Sequence, residues 1–79
     1  MKARVTVFPR PEVLDPQGKA VREALLRLGH AEVADLRAGK CFDLELATED
    51  HELARRELAE MCERLLANPL VERYEIQLG

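Results

Sequence analysis

The side chains best suited to chemistry in this sequence are two cysteines, Cys41 and Cys62, and two histidines, His30 and His51. A thiolate beside a histidine is an acyl-transfer nucleophile, and paired Cys or His ligands hold zinc. Spacing argues against both. The chain has no Cys-x-x-Cys and no His-x-x-x-His pair, and Cys62 falls inside an apolar helical stripe, the setting of a core thiol rather than a stabilised thiolate. The glutamates are scattered over solvated helix faces, and no two of them are singled out as an acid and base pair. There is no GxxxxGK[ST] loop. Gly18 stands alone, and Asp15 puts a negative charge at the helix start where a phosphate would otherwise sit. The residues themselves therefore imply a small, non-catalytic α+β interaction module, with no catalytic, metal or cofactor site.

Composition narrows the partners. A net charge of -3 with interspersed signs argues against nucleic acid, which demands a concentrated basic surface. No apolar run approaches the ~20 residues of a membrane span, and two distant cysteines make no disulfide framework, so a cytoplasmic protein is expected. At 79 residues the chain reads as one domain, 1–79, near the lower limit for a self-sufficient core. Oligomerisation or burial by a partner follows as an expectation.

The elements come in a clear order. Ala3, Val5 and Val7 alternate with Arg4, Thr6 and Phe8 in a first strand, leaving Phe8 on the outer face. Asp15 caps and Pro16 opens a helix that runs to Leu28 and stops at Gly29, with Ala20, Val21, Ala24, Leu25 and Leu28 on one side and Leu26 opposite. Two strands are expected between Glu32 and Ala47. Pairing Ala34, Leu36 and Ala38 with Leu46, Leu44 and Phe42 turns both apolar sets to one core, around a Gly39-Lys40-Cys41 loop in which Gly39 supplies a positive φ. Lys40 at that tip is either solvated or turned to an anion. Thr48 is the expected cap of a second helix reaching Leu66 or Ala67, with Ala54, Leu58, Met61, Cys62 and Leu65 inward and Leu53 and Leu66 flanking. Pro69 ends it, and Leu70, Tyr74, Ile76 and Leu78 form one face of a last strand. The sum is β-α-β-β-α-β, a ferredoxin-like (split βαβ) antiparallel sheet with two helices on one face.

Three segments, Val13-Leu14-Asp15-Pro16-Gln17-Gly18-Lys19-Ala20, Arg37-Ala38-Gly39-Lys40 and Leu65 to Tyr74, together resemble the small S subunit of phosphoribosylformylglycinamidine synthase over essentially the whole chain. That resemblance implies a role in de novo purine synthesis, in the ATP- and glutamine-dependent conversion of formylglycinamide to formylglycinamidine ribonucleotide. It implies a subunit without catalytic residues or a cofactor of its own, in a complex that uses ATP and Mg. The implied partners are further copies, as a homodimer or dimer of dimers, a large synthetase subunit and a glutaminase subunit, with ammonia passing between the larger two. Phe8, Leu26, Leu53, Leu66, Asn68, Pro69 and Val71 are the expected partner contacts. The rival expectation is a ferredoxin-like regulatory module that binds a small molecule at a dimer interface.

Overall fold

In the computed structural model, which describes residues Met1–Gly79, the alternating segment Lys2–Pro9 forms strand β1 at the centre of a three-stranded sheet. Its neighbours are β2 (Lys40–Glu45) and β3 (Glu72–Leu78), both antiparallel to it, in the order β2-β1-β3. Val5 lies between Phe42 and Ile76, and Ala3 between Leu44 and Leu78, so one face of the sheet is apolar across all three strands. Helix α2 (His51–Met61) and the π-helical turn that extends it to Leu66 lie on that face, over β1 and β3. Leu58 and Cys62 descend from the helix onto Val5 and Val7, and all four side chains are fully buried. Eight strand residues at about 3.3 Å match sixteen helical residues at about 1.5 Å, so helix and strand end together.

Helix α1 (Pro16–Arg27) has the expected ends. The Asp15 carboxylate accepts from the Gly18 amide, and Gly29, at φ 100°, closes the helix with a Schellman pair of bonds, Gly29 N–H to Leu26 O and His30 N–H to Leu25 O. Its position is not the expected one. Instead of lying on the sheet beside α2, α1 projects past the end where β1 finishes, and Gly18 is its single buried residue. The molecule is 47 Å long with a radius of gyration of 15.7 Å, against about 11–12 Å for a compact domain of this length.

The ferredoxin-like order and antiparallel sheet are present, but the segment read as the second strand is not a strand. Residues 34–38 run back along α1, and the amide of Ala38 bonds the Asp15 carboxylate at 2.7 Å instead of a ladder partner. With no such strand there is no Gly39-Lys40-Cys41 hairpin. Gly39 has no positive φ; its missing side chain lets the backbone pass the Val7 carbonyl, where a Cβ would stand 2.5 Å from the oxygen. Lys40 opens β2, with its ammonium 6.0 Å from the centre of the Phe42 ring. Asp50 rather than Thr48 caps α2, accepting from the Glu52 and Leu53 amides, while the Thr48 hydroxyl accepts from Asp50 N–H. Leu70 lies in a turn before β3, 86 % exposed, and contributes nothing to the core.

Candidate functional site

The chemistry-bearing residues are dispersed. Cys62 is enclosed beneath α2, where burial, aided by the Glu63 carboxylate, pushes its thiol above the usual range and away from thiolate character. Cys41 is exposed on β2, paired with Thr6 on the outer face of the sheet. His30 and His51 are both exposed; His30 stands 3.7 Å from Glu32, and no group of three potential ligands surrounds a common point. The Tyr74 phenol is also raised, by burial first and then by Glu63, which suits a packed strand residue more than a proton donor. What the chain offers instead is surface, in three places.

The outer face of the sheet has no helix over it. Arg4 on β1 grips Asp43 on β2 with two bonds, Nε to Oδ1 at 2.7 Å and Nη2 to Oδ2 at 3.2 Å. Each ion stabilises the charge of the other: the Asp43 carboxyl is held below the usual carboxylate range and the Arg4 guanidinium above its own. At the far end of β1 the guanidinium of Arg73 lies 5.3 Å from the centre of the Phe8 ring, in cation–π range. This half-buried aromatic is thus stacked rather than bare.

The second surface is the turn after α2. Ala67 N–H reaches back to Cys62 O at 3.0 Å, the i→i+5 bond of a π turn, and this wider turn moves every later side chain around the helix axis. Leu66 consequently packs against the core and Leu65 points to solvent, 82 % exposed. This reverses the expected roles of the two: Leu65 is removed from the apolar stripe, and Leu66 is a core residue rather than a spare one. The Asn68 side-chain oxygen accepts from Leu70 N–H, and the Asn68 backbone N–H donates to the Glu72 carboxylate at 2.7 Å. Arg10 clamps the turn by donating Nε and Nη2 to Pro69 O, while Arg10 N–H bonds Val71 O. Phe8, Asn68, Pro69 and Val71 are therefore gathered at one end of the sheet, together with the exposed Leu65 and Leu70. Leu53, in the first turn of α2, lies at the other end, and Leu26 is on α1.

The third surface is the projecting arm, α1 with the strap 33–38 along it. Arg22 Nε donates to Val33 O at 2.9 Å, and Arg37 Nη2 bonds Arg10 O and Val13 O at 2.8 and 2.6 Å. Asp15 joins helix and strap, one carboxylate oxygen taking Gly18 N–H and the other Ala38 N–H. These two bonds, Gly18 first, hold its carboxyl below the usual range. Leu14 at 90 %, Leu28 at 75 % and Val21 at 42 % exposure leave much of the arm's apolar surface in water. Leu14 and the two arginines escaped the sequence reading: Leu14 adjoins a cap, and an arginine's backbone acceptors leave no periodic trace.

Comparison with known proteins bears on what these surfaces serve. Residues 2–79 match the family model described as PurS: Phosphoribosylformylglycinamidine (FGAM) synthase. The chain is 47% identical over 75 residues to the PurS subunit of that synthase from Mycobacterium leprae, covering 95% of this chain and 91% of the relative. Among solved structures, Bacillus subtilis PurS is similar at a TM-score of 0.82 and 43% identity, with 98% of each chain covered. A chain of PurLQS from Thermotoga maritima is similar at 0.85 and 37%, covering 96% of this chain and 93% of its own. With the whole length matched in sequence and in fold, the chain belongs to the PurS family of phosphoribosylformylglycinamidine synthase subunits.

Proposed function

We propose that the chain is a non-catalytic, assembling subunit of phosphoribosylformylglycinamidine synthase, in the cytoplasm, at the glutamine- and ATP-dependent step that forms formylglycinamidine ribonucleotide. It joins the large synthetase subunit to the glutaminase subunit as a homodimer or dimer of dimers and assists ammonia transfer between them. The observation that carries this reading is a negative and a positive together: reactive side chains are buried or dispersed, while exposed apolar residues gather at the Asn68 turn and on the arm. The relative found in a PurLQS structure supports the assignment of partners. ATP and magnesium belong to the larger subunits in this account, and the end of the sheet that gathers Phe8, Leu65, Asn68, Pro69, Leu70 and Val71 meets one of them.

The test is co-sedimentation of the purified chain with the synthetase and glutaminase subunits in the presence of nucleotide. A stable ternary complex that weakens on Leu70→Asp, with the variant's own thermal unfolding unchanged, is the expected result. Saturable binding of an amino acid or nucleotide by the isolated chain, without assembly, would support a regulatory module instead.

A further inference from the structure

The arm shares no apolar core with the sheet. None of its residues joins the buried cluster around Val5, Val7, Leu58 and Cys62, and every half-buried residue packed on that cluster lies between Phe42 and Leu78. What aims the arm is therefore polar. Hydrogen bonds, unlike apolar contact, fix a direction as well as a distance.

Two segments make the neck, 10–15 going out and 36–39 coming back. Arg37 ties the returning segment to the outgoing one, its Nη2 donating to Arg10 O at 2.8 Å and to Val13 O at 2.6 Å. The root of the neck is tied in turn to the Asn68 turn. Arg10 N–H bonds Val71 O at 2.9 Å, and the Arg10 guanidinium donates Nε and Nη2 to Pro69 O at 3.1 and 2.8 Å. One residue thus carries both connections: the side chain of Arg10 holds the turn, while its carbonyl is held by Arg37. Neither joint swivels freely, because Pro69 O meets two donors of one planar fork and Arg10 O takes the Val13 amide as well as Arg37. On the returning side Gly39 lies against the Val7 carbonyl with no room for even a methyl group.

We infer that Arg10 and Arg37 act in series as a relay that fixes the direction of the arm relative to the Asn68 turn, so that these two exposed apolar surfaces move as one piece. Removing either guanidinium leaves the arm folded, since the Asp15–Gly18, Asp15–Ala38 and Arg22–Val33 bonds and the Schellman pair lie between α1 and its own strap. Its aim is what is lost. Whatever grips the turn then biases the arm through the two arginines, and by linkage the reverse holds equally. The relay is a property of the free chain and goes beyond its place in any assembly.

The test is the distance between spin labels on Leu28→Cys, at the end of α1, and Leu70→Cys, in the turn. Both positions face solvent, and the full-length chain also carries Cys41→Ser, while the buried Cys62 is retained. Labelled chain is refolded with an excess of unlabelled chain, so that double electron–electron resonance reads distances within one molecule. The parent should give one narrow peak, and Arg37→Ala should lose it to a broad or split distribution with far-UV circular dichroism unchanged. Arg10→Ala should lose it too and, unlike Arg37→Ala, speed hydrogen exchange at the Val71 and Glu72 amides of the turn. Arg22→Ala, whose bond lies inside the arm, should keep the peak. A narrow peak in Arg37→Ala, a parent distribution that is already broad, or equal broadening in Arg22→Ala overturns the relay. Should Arg10→Ala fail to fold, the Arg37→Ala result decides alone. No other subunit is present, so this outcome is read separately from formation of the ternary complex.

Discussion

Gly18 in the first turn of α1 offers a test in which two rules predict opposite signs. By helix propensity alone, Gly18→Ala should stabilise the chain by up to about 1 kcal/mol, since alanine loses less conformational freedom on folding. The structure predicts the reverse. A Cβ on Gly18 would stand 2.7 Å from the Leu36 carbonyl oxygen and closer still to the Asp15 carboxylate. Neither neighbour yields easily, because the carboxylate is held by two amides and the carbonyl belongs to the strap tied down by Arg22 and Arg37. Overpacking of this kind costs about 1–3 kcal/mol, which offsets or exceeds a propensity gain of at most about 1 kcal/mol and leaves a net destabilisation of up to about 2 kcal/mol. Urea unfolding of Gly18→Ala beside the parent chain, at matched protein concentration, measures the net effect. Hydrogen exchange should place the loss in the arm, at the amides of Lys19 and Ala38, with the amides of β1 unchanged. A variant more stable than the parent would refute the claim that helix and strap pack this closely at Asp15.

Other expectations follow from the same geometry. Leu58→Ala empties a fully buried site over Val5 and Val7 and should cost about 2–5 kcal/mol in denaturant unfolding, whereas Leu65→Ala, turned outward by the π turn, should stay within about 0.5 kcal/mol. Native alkylation should modify Cys41 at the rate of an exposed thiol and leave Cys62 untouched until the chain unfolds. Asp15 has a folded pKa below its unfolded one, so its contribution to the arm is complete above the unfolded value and is lost as pH falls through the folded value. Arm amides should thus exchange faster at strongly acidic pH, and Asp15→Asn, whose amide group opposes Ala38 N–H, should abolish that pH dependence. Equal acid sensitivity in this variant would count against the assignment.

The elements legible in the sequence are those whose signals are local. Asp15-Pro16 and Gly29 mark the ends of α1 because a cap, a ring without an amide hydrogen and a positive φ act within one turn. Ala3, Val5 and Val7 read as a buried strand because period-two burial needs no knowledge of the partner strands. The false strand shows where this fails. Ala34, Leu36 and Ala38 alternate as strand residues do, yet Asp15, more than twenty positions away, takes the Ala38 amide, and the two alanines have little apolar surface with which to compete. Leu65 and Leu66 exchanged roles because the π turn shifts the helical phase, which a pattern of fixed period does not register. Of the expected contacts, Phe8, Asn68, Pro69 and Val71 proved to be neighbours because one short turn and one strand end bring them together. The arm's exposure was hidden for the opposite reason. An amphipathic helix looks the same in sequence whether its own sheet or another molecule's covers it.

The most direct test of the proposed role compares two nitrogen sources in the reconstituted synthase. With synthetase and glutaminase subunits present, omitting this chain should abolish turnover driven by glutamine while turnover driven by added ammonium persists, because ammonium bypasses the join between the two. Glutamine-driven turnover that is undiminished without the chain would contradict the account.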